Sequence, residues 1–305
     1  MSTDPHAACG PQPPPGTDPD PDPDPDPDPD ADLERRFGGL RRLYGDAGYR
    51  RVRAARVAVI GLGGVGSWAV EALARSGVAR LVLVDLDHVA ESNINRQVQA
   101  LGSTLGMAKA EALRRRIADI HPGCEVWAVE AFAGPDNWPG LLPAEVDVLI
   151  DACDQSTAKL ALAAGVPLVC VGAAGGKQLA QMVDVADLAE VSHDPLLAGL
   201  RQRLRKQGAA RTGTIGLRCV FSRESVAVPV AAGDLACATD GSLNCQGYGS
   251  TVTVTATFGL VAAGEALRLC RAGAGSPAAL PQAALPIQAP APAPASAQTL
   301  DPSQT

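Results

Sequence analysis

Arg56-Val-Ala-Val-Ile60-Gly61-Leu-Gly63-Gly64-Val-Gly66 is a short apolar run that ends in four glycines spaced as Gly-x-Gly-Gly-x-Gly. The run reads as a buried strand. The glycines allow a tight turn and a close approach of backbone to phosphate, and residues 64–76 suit the helix that follows. Strand, glycine loop and helix in that order begin a nucleotide-binding α/β fold. Further apolar runs follow at Leu81-Val-Leu-Val-Asp85, Cys124 to Val129, Val146 to Ala152 and Val166 to Val171. Helix-like stretches at residues 107–120 and 155–164 separate them. Continuous apolar strands alternating with helices predict a mostly parallel sheet. The second half is less regular. Residues 178–185 and 218–230 read as strands and residues 251–270 as a long closing helix, with Thr and Val weakening its first turns. The expected class is therefore α/β: a Rossmann-like domain with a mostly parallel sheet, extended by an irregular C-terminal half.

The ends of the chain differ from its middle. Residues 1–32 hold nine Asp, eleven of the 25 Pro and no Lys or Arg, and Asp18 to Asp30 alternates Asp with Pro. Residues 275–305 hold seven Pro, one Asp and no base, including the Ala-Pro stretch Ala289 to Ala295. Proline removes backbone donors and like charges repel, so both ends are expected to be disordered tails around one body at 33–274. With the tails set aside, the formal net charge of −7 for 305 residues becomes +3 for that body, which leaves a polyanionic partner open. Mean hydropathy is +0.06, and no run approaches the ~18 consecutive apolar residues of a membrane span. Eight scattered cysteines form no Cys-x-x-Cys pair, which gives a structural zinc site little support. The N-terminus lacks basic residues followed by an apolar run, so a reducing, cytoplasmic setting with free thiols is expected. Cys237 and Cys245 bracket a polar segment and would be the first thiols to test, although neither has a base nearby in sequence.

The residues after the glycine loop narrow the chemistry. Asp85 ends the second strand, where a ribose-binding carboxylate belongs. Asp85-Leu-Asp87-His-Val89 leads into Ser92-Asn93-Ile-Asn95-Arg96-Gln97. Gly106-Met-Ala-Lys109 opens the next helix, and Asp151-Ala-Cys-Asp154 follows the fourth strand. An Arg, a Lys and a carboxylate converging on a phosphate loop suit a nucleoside triphosphate with a divalent cation. A nicotinamide dehydrogenase has no need of that set. Singly, Arg96 reads as a surface ion pair, Lys109 as a solvated helix residue and Asp154 as a helix cap. Jointly, in this order, those separate readings are disfavoured and the set points to a nucleoside triphosphate. Arg201, Arg203, Arg205, Lys206 and Arg211 form a basic run that reads equally as a solvated helix face or a phosphate-binding surface. An aromatic content of 3% gives a base-stacking platform weak support.

These motifs resemble the ubiquitin-activating-like superfamily of adenylating enzymes (ThiF, MoeB, HesA), over roughly Arg36 to Cys270. Within it the chain is most similar to the tRNA threonylcarbamoyladenosine dehydratases. That narrower likeness lies in Arg36-Phe-Gly-Gly39, Arg42-Leu-Tyr-Gly45, Trp68 and its neighbours after the loop, Gly172-Ala-Ala-Gly-Gly176, Asp194-Pro-Leu196, Cys219-Val-Phe-Ser222 and Val254-Thr-Ala-Thr-Phe-Gly259. The resemblance implies ATP on the loop Gly61, Gly63, Gly64 and Gly66, with Asp85 on the ribose and Asp87 beside it. It implies Asn93, Arg96, Gln97 and Lys109 on the phosphates, and Mg2+ on Asp154, with Arg96, Lys109 and Asp154 as the catalytic set. The implied reaction is ATP-dependent dehydration of threonylcarbamoyladenosine in tRNA by a homodimer. A sulfur-transfer or redox protein is a further candidate partner. MoeB-like relatives have Arg-Tyr-x-Arg near the N-terminus, where this chain has Gly39 at the second Arg, leaving Arg36 and Arg42 as alternatives. The rival activity is adenylation of a sulfur-carrier C-terminus. Those relatives usually carry two Cys-x-x-Cys pairs that are absent here.

Overall fold

The strands β1 (Arg56–Ile60), β2 (Arg80–Val84), β3 (Glu125–Val129), β4 (Val148–Asp151), β5 (Leu168–Val171), β6 (Val183–Asp187) and β7 (Arg218–Ser222) form one sheet in the order β3-β2-β1-β4-β5-β7-β6. The computed structural model describes residues 29–155, 159, 166–227 and 248–273. Every neighbouring pair is parallel except β6 and β7, which run antiparallel. The chain moves outward from β1 to β3 and then returns to the other side of β1 at β4. The strand order therefore reverses between β1 and β4, and their C-terminal ends open the crevice where such sheets take ligands.

Beside the sheet lie helices α1 (Pro29–Phe37), α2 (Gly39–Ala54), α3 (Gly66–Arg75), α4 (Lys109–Ile120), α5 (Pro195–Lys206) and α6 (Val252–Ala272), with short 3-10 turns at Glu91–Asn93, Gly102–Thr104 and Ala180–Met182. Alternate strand residues face opposite layers. Val57, Val59, Leu81, Leu83, Val148 and Ile150 pack against α3, α4 and α6 through Leu73, Leu113 and Phe258. Ala58, Ile60, Val82, Leu149, Cys170 and Phe221 face Leu197, Leu200 and Leu204 of α5. Burying each such side chain contributes about 1.5–3 kcal/mol, and both faces of the sheet are used. This is the expected α/β fold with a mostly parallel sheet, and its helices pack on both faces to give three layers. Cys170, Cys219 and Cys270 are buried and Cys124 and Cys153 half-buried, all as free thiols. Burial pushes the Cys124 and Cys270 thiols up to about 12, so they act as small packing groups.

Several boundaries differ from the sequence reading for local reasons. α1 starts inside the stretch expected to be tail, and Asp32 pairs with Arg36 at 2.6 Å across one helical turn. The strand expected at 178–185 begins only at Val183. The Glu224 carboxylate accepts the Gln178 and Leu179 N–H groups at 3.0 and 2.9 Å and holds that backbone off the sheet. The strand expected at 218–230 stops at Ser222, and its last residues lie outside the described ones. So do most of the expected helix 155–164, the thiols Cys237 and Cys245, and nearly all of both tails. Among the described residues one helix, α6, is long and apolar enough to cross a membrane. Here it lies against α3 and the sheet, with Val254, Phe258, Ala262 and Ala266 fully buried.

Candidate nucleotide and acyl-transfer site

The glycine loop is shaped by close backbone contacts. Gly61 has φ +86°, and a Cβ there would lie 2.8 Å from the Ala152 carbonyl oxygen in the loop after β4. A Cβ on Gly66 would lie 1.8 Å from the Gly61 oxygen, so only glycine lets α3 start this close to β1. At Gly63 a Cβ would meet nothing within 4 Å, and the loop is open on that side. No side chain caps the first turn of α3, whose N–H groups and dipole favour an anion at that end.

Asp85 follows β2 and braces the loop. Its carboxylate accepts the Leu62 N–H at 2.6 Å and the Asp87 N–H at 2.8 Å. Burial raises its carboxyl above the usual range, although nearby Lys109 and these two donors oppose the rise. Lys109 is buried at the start of α4, and its ammonium meets the half-exposed Asp87 carboxylate at 2.7 Å. Asn93 accepts the Ala90 N–H at 3.1 Å and closes the turn that presents Arg96. Trp68 of α3 donates its indole N–H to the Arg96 carbonyl at 3.0 Å. The Arg96 guanidinium donates to the Ser92 carbonyl at 2.7 Å and the Asn95 side chain at 2.8 Å, and its side chain lies against Gly64. Burial lowers its affinity for its proton, and no carboxylate pairs with it among the described residues. A half-desolvated guanidinium beside a glycine loop is a ready partner for phosphate.

Asp154 is exposed just beyond β4. Behind it, Asp151 and Lys159 form a fully buried ion pair at 3.1 Å, and Lys159 also donates to the Asp151 carbonyl at 3.3 Å. Asp151 accepts the Cys153 N–H at 3.0 Å, which fixes the turn leading to Asp154. Burial opposes the charge on Lys159, but Asp151 beside it outweighs that and holds the ammonium protonated. Removing one partner of such a pair leaves a buried charge uncompensated, at a cost of about 3–5 kcal/mol. Gln97 is buried and accepts from Gln99 at 3.1 Å, while Gln99 also donates to the Leu62 carbonyl at 3.0 Å. Gln99 and the Asp151–Lys159 pair are absent from the sequence reading. For Gln99 the only signal was its place two residues after the Arg96-Gln97 motif.

The loop after β5 forms the next wall. Asp194, the N-cap of α5, accepts the Ala173 N–H at 2.8 Å and the Leu197 N–H at 2.9 Å. Gly176 donates its N–H to the Gly249 carbonyl at 2.9 Å, and Asn95 donates to Ser250 at 3.0 Å. The segment before α6 thereby ties the β5 loop to the Arg96 turn. The structure thus brings Gly61, Gly63, Gly64, Gly66, Asp85, Asp87, Asn93, Arg96, Gln97, Lys109 and Asp154 to the C-terminal side of the sheet around the β1–β4 crevice. Arg36 is placed elsewhere: it pairs with Asp32 and donates to the Ile120 carbonyl at 3.2 Å at the far end of α4. Arg42 is exposed on α2. Neither bonds to this chain's own glycine loop.

The model of the ThiF family matches residues 36–288. The chain belongs to the ThiF family. Among ThiF proteins of known activity, the tRNA threonylcarbamoyladenosine dehydratase of Escherichia coli (strain K12) is 41% identical over 248 residues, 76% of this chain and 92% of the relative. The crystal structure of the Escherichia coli dehydratase in complex with ATP matches with a TM-score of 0.70 and 39% identity, covering 78% of this chain and 95% of that one. The corresponding AMP complex matches with a TM-score of 0.71 and 40% identity, with the same coverage.

Proposed function

We propose that this ThiF-family chain is an ATP-dependent tRNA threonylcarbamoyladenosine dehydratase, with its activity carried by residues 33–274. The observation that carries this reading is the likeness to the Escherichia coli dehydratase along almost that enzyme's whole length. The site's geometry supports it. ATP, a substrate of the reaction, would lie with its ribose at Asp85 and its phosphates over Gly61–Gly66, with Asn93, Arg96, Gln97 and Lys109 around them. The threonyl carboxylate of the modified adenosine attacks the α-phosphorus, forming a C–O–P linkage and releasing pyrophosphate. A nucleophile of the same side chain then attacks the activated acyl carbon. The ring closes and AMP departs with the former carboxylate oxygen, so the nucleoside loses the elements of water overall. Ring closure is intramolecular, and positioning supplies much of its acceleration. Arg96 and Lys109 offset the charge that develops on the phosphates.

Mg2+ fits this arrangement on Asp154. Among the described residues no three His, Cys, Asp or Glu side chains gather into a protein-only metal site. Mg2+ on a nucleotide needs only one or two carboxylates, because phosphates and water supply its other ligands. The exposed Asp154 is such a carboxylate, and the ion would neutralise phosphate charge there. Free thiols fit a reducing, cytoplasmic setting. A homodimer is consistent with the exposed apolar side chains Ile94, Leu101 and Leu105 beside the Arg96 turn, and sedimentation would test it. Adenylation of a sulfur-carrier protein has weaker support, since the chain lacks the paired Cys-x-x-Cys motifs of those relatives. The deciding experiment incubates the full chain with ATP and tRNA carrying threonylcarbamoyladenosine, then measures nucleoside masses. Loss of one water from the modified nucleoside is expected. An unchanged nucleoside, with pyrophosphate released only in the presence of a sulfur carrier, would favour the rival.

A further inference from the structure

The outer side of α5 and the loop after it enclose a concavity of about 570 Å3, away from the glycine loop. Arg201, Arg205, Lys206 and Arg211 line it, and no carboxylate does. Helical spacing explains the arrangement. Leu197, Leu200 and Leu204 turn toward the sheet, which leaves Arg201 and Arg205, one turn apart, half-buried along the edge of that stripe and Gln202 and Lys206 on the outer side. Arg203, in the same basic run, does not line this wall. Arg201 is fixed by the Leu188 and Val191 carbonyls at 3.0 and 2.8 Å. Arg205, Lys206 and Arg211 form no ion pair among the described residues. Four cations facing one hollow repel one another, and a polyanion would relieve that repulsion.

A shallower groove of about 250 Å3 continues from this hollow. It shares Ala198 and Arg201 with it and runs past His193 and Asp194 to Val226. That groove touches the candidate site's wall at two points. Asp194 holds the Ala173 N–H, and the Val226 side chain lies 2.7 Å from where a Cβ of Gly176 would be. The cationic hollow is therefore joined by one groove to the loop after β5.

We infer that this face of α5, with Arg211, docks the phosphate backbone of the tRNA whose modified nucleoside enters the candidate site. The inference rests on the proposed function and adds the surface that holds the substrate. A nucleic-acid backbone suits the hollow better than an acidic protein does, because the wall offers cations and Gln202 but no large apolar or aromatic anchor for a protein interface.

The test measures binding of an in vitro transcribed tRNA to the full chain over a range of salt concentrations. It compares wild type with the triple variant Arg205→Gln, Lys206→Gln, Arg211→Gln. Arg201 is kept because it ties down two carbonyls. Each lost phosphate contact lowers the slope of log affinity against log salt by roughly 0.7–0.9, so the triple variant should lose roughly 2–3. Its ATP affinity and Tm should match wild type. The control Arg114→Gln, Arg115→Gln removes cations already paired with Glu111 at 2.7 and 2.9 Å and should leave the slope unchanged. A triple variant with the full wild-type slope overturns the assignment of this face. A wild-type chain with no salt-dependent tRNA binding overturns the substrate reading itself.

Discussion

Asp154 stands in solvent beyond β4, so Asp154→Ala should leave Tm unchanged while product formation falls roughly a hundredfold or more. Wild-type turnover in that variant would remove Asp154 from the chemistry. His121 carries a different kind of prediction. It is buried at the end of α4, edge-on to Phe37, with one ring nitrogen 3.1 Å from Arg53 and the other without a partner among the described residues. Burial, with Arg53 and Arg36 nearby, pushes its value down to about 4 from 6.5. The unfolded chain then binds a proton between those values that the folded chain refuses. Stability contributed by neutral His121 is complete above pH 6.5 and is lost as pH falls toward 4, by roughly 3 kcal/mol. Denaturant unfolding of His121→Gln should show a shallower pH slope in that window, and an equal slope would refute the assignment. The positions of Arg96, Lys109 and the glycines around the β1–β4 crevice were legible in the sequence because their types and order follow the strand, glycine loop and helix. Gln99, the Asp151–Lys159 pair and the Glu71–Arg116 pair at 2.6 Å were not, because each depends on a partner that only the fold brings near.

The contact between α3 and α6 shows how one element shapes another's function. A Cβ on Gly259 of α6 would lie 2.4 Å from the Val65 carbonyl oxygen and 2.8 Å from the Trp68 Cβ. Val65 belongs to the glycine loop, and Trp68 holds the Arg96 turn through its indole N–H. Gly259→Ala should push α6 away from both, destabilising the chain by about 1–3 kcal/mol. It should also weaken ATP binding, although the side chain touches no nucleotide; calorimetric titration that finds ATP affinity unchanged would show the loop to be independent of α6. The strands β1, β2, β4 and β5 were readable because their apolar runs are buried on both faces, whereas β3, a partly exposed edge strand, was readable only from its short apolar run. α1 was hidden by its acidic, proline-rich approach. The start of β6 was displaced by Glu224, a residue some 40 positions further along the chain whose carboxylate takes the N–H groups of Gln178 and Leu179.

At the scale of the whole molecule, charge is divided between an acidic N-terminal stretch and a slightly basic body. Residues 1–28 contain seven Asp and no base, so a chain that begins at Pro29 changes from a formal net charge of −7 to zero. It keeps all of α1, including the Asp32–Arg36 pair. The removed stretch has little apolar content to pack, and none of the residues around the candidate site belongs to it. The shortened chain should therefore reach the same maximal turnover on modified tRNA. Its association with tRNA should be faster at low salt, because seven negative charges no longer repel an incoming polyanion. That advantage should shrink as salt rises, with screening confined to about 10 Å at 0.1 M. Stopped-flow association and steady-state turnover, measured on both chains across salt, separate the two effects. A large loss of maximal turnover would place the acidic stretch in the machinery, and an unchanged association rate at low salt would show that it does not reach the path of the tRNA.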